Sequence, residues 1–201
     1  MSITKPNLTR AIRRALIIPY MAYDILSYES TPDGDDEVTS LLIRVFVEAG
    51  YPDKSTAEKA FAAEELRRRG DIITARSPAG DLLGMVVWVC PASLSRQIAM
   101  EDEAEIHLLA VSPAARGQGI ASRLIAACEQ RSVTRGYFKV VLSTQPIMSA
   151  ARHVYEQLGY QRNPTRDWSK GKKTYLAYEK SISQEDNKQR ASLAPHPSSR
   201  P

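Results

Sequence analysis

The sequence predicts an α/β or α+β domain built on a mixed sheet with helices on both faces. Three observations carry that expectation. Strand-like and helix-like patterns follow one another in the order β-α-α-β-β-β-α-β-α-β between residues 16 and 178. Two apolar runs, 72–76 and 82–89, flank Ser77-Pro78-Ala79-Gly80-Asp81, whose turn chemistry makes them a hairpin. A third apolar run, Ile106 to Val111, leads through a glycine-bearing turn into a long helical pattern, Ile120 to Arg135.

Leu16-Ile17-Ile18 reads as a first strand, followed by an acidic loop over residues 29–37. Val38, Leu41, Leu42, Val45, Phe46 and Ala49 recur at helical spacing, and Gly50 supplies the stop. Ser55 and Glu58 form a capping-box start for a second helix ending at Gly70. After the hairpin comes a polar loop, 91–103. The strand 104–111 then places Glu105, His107, Leu109 and Val111 on one face by simple alternation. The next helix buries Leu124, Ile125 and Cys128 and ends at Gly136. A strand at 138–143, a helix at 150–158 with Ser149 as its N-cap, and a strand at 174–178 complete the order. Residues 1–180 thus form one domain. From 181 to 201 the chain is polar and rich in Pro and Ser, the composition of a disordered tail.

Composition narrows the class of function. The chain has 201 residues, of which 43% are hydrophobic and 25% charged, as in globular domains. No apolar run approaches the ~18 residues that span a bilayer, and residues 1–14 show no signal-peptide pattern, so a cytoplasmic protein is expected. Two distant cysteines, Cys90 and Cys128, indicate neither a disulfide framework nor a zinc site. The net charge of +4 suits an anionic ligand without selecting one. Arg67-Arg68-Arg69 closes a helix whose dipole favours cations there, so nucleic acid is not the expected partner.

Arg116-Gly117-Gln118-Gly119-Ile120-Ala121 is the most specific stretch. A strand, a glycine turn and a helix start aim several backbone N–H groups at one anion. Both glycines tolerate positive φ and keep side chains off the ligand, and Arg116 adds a forked cation. This is a seat for a diphosphate. A P-loop would place Lys-Ser/Thr after the last glycine, where Ile120-Ala121 stands. A dinucleotide fingerprint would place a third glycine where Ser122 stands.

Arg-x-x-Gly-x-Ala after Val111-Ser112-Pro113 resembles the acetyl-CoA signature of the GNAT superfamily of N-acetyltransferases. Tyr155-Glu156-Gln157-Leu158-Gly159-Tyr160 is similar to that family's Tyr-Glu-x-x-Gly-aromatic segment. The resemblance covers about residues 104–160. It implies a single GNAT-like domain with a twisted, mostly antiparallel mixed sheet, splayed between its fourth and fifth strands to admit the pantetheine arm. It implies that backbone at Leu109, Ala110 and Val111 pairs with pantetheine like an added strand, and that Arg116 to Ala121 hold the diphosphate. The family often has an Asn seven residues before this tyrosine; Met148 stands there, with Ser149 beside it as a partial replacement.

Acetyl transfer to an amine needs a base, because an ammonium of pKa ~10.4 must lose its proton at a cost of about 4–5 kcal/mol at neutral pH. The departing thiolate, whose thiol pKa is ~8.5, benefits from a donor. By spacing, Tyr155 shares a helix face with Val154 and Leu158 and reads as core; the resemblance implies the acid instead. Glu105 and His107 are the candidate bases, with a solvated strand-end charge and a core histidine as their plain readings. The expected activity is acetyl-CoA-dependent N-acetylation of a small amine, or of a peptide or protein amine. No metal or membrane is required, and a homodimer is compatible with the family. The alternatives are an acyl-CoA sensor without turnover and a tRNA-directed acetyltransferase toxin. The acidic loop at 29–37 either draws in a cationic acceptor or caps a helix. Trp88 and Trp168 either line the cleft or pack the sheet.

Overall fold

A computed structural model describes residues 23–47, 50 and 54–183, with the side chains of 54–56 left aside. Eight strands form one sheet: β1 (Asp24–Ser27), β2 (Asp71–Arg76), β3 (Leu82–Val89), β4 (Glu103–Val111), β5 (Lys139–Thr144), β6 (Gln161–Arg162), β7 (Trp168–Lys170) and β8 (Lys173–Ser181). The spatial order is β1-β2-β3-β4-β5-β8-β6, with β7 also on β8. Only β4 and β5 run parallel, so the sheet is mixed and mostly antiparallel. The helices are α1 (Pro32–Leu42), α2 (Lys54–Ala60), α3 (Ala63–Arg69), α4 (Ile120–Thr134) and α5 (Ser149–Gln157).

Each face of the sheet buries its own cluster. On one face Ala104, Ile106 and Val140 pack with Leu124, Ile125 and Cys128 of α4 and with Tyr155 of α5. On the other, Met85, Val87 and Val89 pack with Val38 and Leu42 of α1 and with Phe61 and Leu66. Helices therefore cover both faces, as the alternating pattern demands. Trp88 belongs to the first core, where its Nε1 donates to Ser132 Oγ at 2.8 Å, so it packs the sheet and takes no part in the cleft.

Several boundaries differ from the sequence reading. The expected strand at 16–18 lies outside the described residues; the first strand seen is β1, too polar for periodicity to reveal. The acidic segment is mostly helix: Thr31 caps α1 by accepting from the Gly34 N–H, Pro32 opens the helix, and Asp33 and Asp35 occupy its first turn. These are helix-start signals that resemble a turn in composition. Past Leu42 the helix widens into a π-helical turn, Ile43–Val47. The expected second helix breaks at Phe61 and Ala62 into α2 and α3. Ser149 is the first residue of α5 rather than its cap; Met148 holds the cap position and makes no capping bond. β8 continues to Ser181, and Ile182 is buried, its N–H bonded to Phe138 O, so ordered structure passes residue 180. Residues 184–201 lie outside the described residues.

Candidate active site

The turn expected to seat a diphosphate, Arg116 to Ala121, joins β4 to α4. Ala115 and Ile120, both buried, pin the turn from either side. Gly117 and Gly119 have φ of 77° and 75°, the left-handed region that costs an L-residue about 1–2 kcal/mol. A Cβ on Gly117 would meet nothing within 4 Å, so backbone conformation, not crowding, requires glycine there. Gly119 is the N-cap of the fifteen-residue α4 and brings no capping side chain. The first-turn N–H groups and the positive helix end are thereby left to an external anion, with exposed Arg116 beside them. Tyr23 Oη donates to Gln118 O at 3.4 Å and braces the turn. These features fit a diphosphate.

β4 itself is irregular. Its register with β3 shifts by one residue between Val87↔His107 and Met85↔Ala110, leaving Leu108 and Leu109 without register partners on β3. Leu108 adopts φ of 52°, strained for a branched aliphatic side chain. The bulge reverses the alternation beyond it. Glu105 and His107 face the side of Val87 and Val89, whereas Leu109 and Val111 pack with the opposite cluster. The one-face grouping expected for Glu105, His107, Leu109 and Val111 is thus overturned by the inserted residue.

On its other edge β4 pairs with β5 only from Glu103 to Ile106. From His107 onward this edge has no strand partner among the described residues, while β5 pairs on with β8 as far as Thr144. The sheet splays there, and a cavity of about 520 Å³ occupies the opening. It reaches both faces: Ala151 and Tyr155 line one side, Met148, Phe46, Phe61 and Arg69 the other, and His107, Leu108 and Leu109 lie between them.

Glu105 is fully buried. Its Oε2 accepts from the backbone N–H groups of Gln97, Ile98 and Ala99 at 2.8, 3.2 and 3.3 Å. Burial alone would raise its pKa, but the neighbouring His107 and the Gln97 and Ile98 N–H groups outweigh it and hold the carboxyl below its ordinary range. Its Oε1 lies 3.0 Å from His107 Nε2, an ion-pair distance, although the two atoms are not aligned as a hydrogen bond. Nδ1 of the same imidazole meets no hydrogen-bond partner among the described residues.

Tyr155 is buried against Tyr160 and Tyr178, with ring centroids 6.2 and 6.1 Å away, and also lines the cleft. Burial raises its phenol pKa well above the ordinary value. Tyr155 is thus a core residue that also faces the cleft. Trp168 lines the cleft too; it stacks on Tyr175 at 4.2 Å and donates to Ser143 Oγ at 3.2 Å.

Ser149 is exposed and does not line the cleft; Met148 does, accepting from Thr144 Oγ1 at 3.3 Å. The acids before and within α1 lie away from it. Asp35, for example, accepts from Tyr28, Ser30 and Arg67. Periodicity puts Phe46 on the apolar face of the first helix and the run Arg67-Arg68-Arg69 at the end of the second, while Phe61 is not singled out. The place of Phe46, Phe61 and Arg69 on the cleft follows from the π turn and the α2–α3 break, which no short-range pattern announces. Among the described residues no helix is long and apolar enough to cross a membrane, and no cluster of His, Cys, Asp or Glu suits a metal.

The sequence model of the Acetyltransferase (GNAT) family matches residues 36–160. Solved structures agree. A Klebsiella pneumoniae protein assigned as an acyl-CoA N-acyltransferase is 21% identical, with TM-score 0.60, covering 80% of this chain and 98% of its own. An aminoglycoside 6'-N-acetyltransferase complexed with coenzyme A is 20% identical, with TM-score 0.59 and coverage of 80% and 97%. A Bacillus subtilis acetyltransferase in complex with CoA is 16% identical, with TM-score 0.57 and coverage of 81% and 100%. At these identities the structures speak for the fold; the family match goes further. This chain belongs to the GNAT acetyltransferase family.

Proposed function

We propose that the protein transfers the acetyl group of acetyl-CoA directly to a primary amine, with both substrates held across the splay in the sheet. The observation that supports this reading most is the cleft itself. It opens at the free edge of β4 and carries His107 and Tyr155 on its wall, and β4 leads on to the anion seat at α4.

In this reading Arg116 to Ala121 hold the diphosphate, and the unpaired edge of Leu109, Ala110 and Val111 receives the pantetheine amides. Acetyl-CoA supplies an acetyl group already activated as a thioester. His107 takes the proton from the acceptor ammonium. Glu105 is a positioning residue: it does not line the cleft, and a carboxyl held below its ordinary range is a weak base. Its fixed negative charge, 3.0 Å away, compensates the positive charge that the imidazole gains. The raised pKa keeps Tyr155 protonated, so its hydroxyl supports the departing sulfur as a hydrogen-bond donor. Complete proton transfer to a thiolate whose thiol pKa is ~8.5 would run uphill. No cysteine lines the cleft among the described residues, which favours direct transfer over a covalent acyl-enzyme.

The test pairs calorimetric titration of CoA with thiol release from acetyl-CoA over a panel of amines. Gly119→Glu, which puts an anion in the seat, is expected to abolish both signals. Tyr155→Phe is expected to lower turnover while CoA affinity holds. CoA binding with no thiol release on any amine would leave a sensor.

A further inference from the structure

We infer that the amine this protein acetylates also carries a carboxylate on an apolar body, and that Arg69 receives that carboxylate. The inference rests on the acetyl-transfer reading for the reaction, but its binding half stands apart from turnover.

Arg69 closes α3 and lines the cleft on the face opposite the diphosphate seat. Its neighbours are matched with carboxylates: Arg67 with Asp35 at 2.7 Å and Arg68 with Glu65 at 3.2 Å. Arg69 is not. Its Nη2 donates to Ala60 O at 3.3 Å, and no carboxylate among the described residues stands within ion-pair distance of it. The acid that bears on it electrostatically, Glu65, is the one Arg68 holds. A half-buried guanidinium with one carbonyl contact retains donors in the forked arrangement that suits a carboxylate. Burial pulls its pKa below the ordinary value, and Glu65 offsets this only in part, so an incoming anion would relieve a standing cost.

The surroundings agree in sign. Lys170 and Lys173 also line the cleft, and its lining includes no Asp or Glu among the described residues. Such a wall disfavours an acceptor with several positive charges and favours one that brings a negative charge. Phe46 and Phe61, with ring centroids 5.6 Å apart, join Ala57 and Ala60 beside Arg69 as an apolar wall, hence the apolar body.

The test uses two probes without an amine, 3-phenylpropionate and 3-phenylpropionamide, titrated calorimetrically into the protein saturated with CoA. The acid is expected to bind at least ~10-fold tighter than the amide. In Arg69→Gln that preference should fall to within about twofold while CoA affinity stays unchanged, and Arg69→Lys should keep part of it. Equal binding of acid and amide to the unmodified protein overturns the inference, with no variant needed. Loss of CoA affinity in Arg69→Gln, with the acid preference intact, overturns it as well. Turnover separates the two readings. If phenylalaninamide is acetylated as fast as phenylalanine, the carboxylate inference fails and acetyl transfer stands. If the acid preference depends on Arg69 yet no amine releases thiol, acetyl transfer fails and the carboxylate site stands.

Discussion

The two halves of β4 are built differently. From Glu103 to Ile106 the strand pairs with β5, Glu105 and Ile106 pair with β3 as well, and all four residues are buried. From His107 to Val111 it bulges, loses its partner on one edge and becomes partly exposed. The first half is pinned from outside the strand. Arg166 bonds both carboxylate oxygens of Glu103 and reaches Glu179, while Lys139 lies 3.5 Å from Glu103 and 3.4 Å from Glu179. This network ties β4 to β5 and β8 just below the point where β4 and β5 part. One strand thus serves as scaffold and then, in the proposed function, as a ligand edge, with Glu105 on the scaffold side of the boundary and His107 on the other.

Deleting Leu108 should break this division most severely. Without the bulge residue, Ala104, Ile106, Leu109 and Val111 fall on one face by plain alternation, so the core they serve is retained. Leu109 then takes the place opposite Val86 while Ala110 and Val111 keep Met85 and Gly84, so the strand loses its bend between His107 and the turn into α4. A misplacement of ~1 Å already costs ~10²-fold in rate, so straightening the cleft edge should lower turnover by ~10²-fold or more and weaken CoA binding as well, with a preserved melting transition. Turnover near that of the unmodified protein would show that the bulge has no part in the site.

His107→Gln sharpens the boundary at its first open residue. The amide retains polarity but cannot take a proton, so turnover with amines protonated at neutral pH should drop ~10²- to 10⁴-fold. CoA affinity should be unchanged. The loss should shrink as the assay pH rises toward the amine's own pKa, because the acceptor then arrives deprotonated. A loss independent of pH would make His107 a packing residue.

Much of this frame is legible in the sequence, and the illegible parts share a cause. The turn at Arg116 to Ala121, the 72–89 hairpin and the burial of Leu124, Ile125 and Cys128 in α4 arise from contacts within a few residues, where glycine chemistry and periodicity act directly. The bulge does not. Leu108 and Leu109 are ordinary strand residues, and only the competing registers on β3 force an extra residue between them, so alternation carried Leu109 to the wrong face. The sequence names Glu105 and His107 and puts Glu105 first. Their difference comes from the backbone N–H groups of the 97–99 loop, which bind one side chain and spare the other. Arg69 was legible as a helix-end cation, and its lack of a matching acid emerges only once Asp35 and Glu65 are seen to be engaged elsewhere.

The smallest expected effect lies in the scaffold half, and it concerns stability rather than rate. Burial alone would raise the pKa of Glu103, but hydrogen bonds from Arg166 and the Met100 N–H, with the charges of Arg166 and Lys139, hold it below the ordinary value of 4.5. Hydrogen bonds from Asn163 lead the effects that hold Glu179 low as well. A carboxylate depressed in the folded state contributes stability that is complete above its unfolded pKa and is lost as pH falls through the folded value. The unmodified protein should therefore hold its melting temperature from neutrality to about pH 5 and lose stability below the ordinary carboxylate range. Glu103→Gln removes the charge but not the shape. It should lower stability at pH 7 by about 1.5–3 kcal/mol, the worth of hydrogen bonds to a charged group, and should flatten the acid limb of a plot of melting temperature against pH. CoA affinity should not change, because the network lies below the splay. If Glu103→Gln instead weakened CoA binding as much as it weakened the fold, the two halves of β4 would be one coupled unit and the division at His107 would not hold.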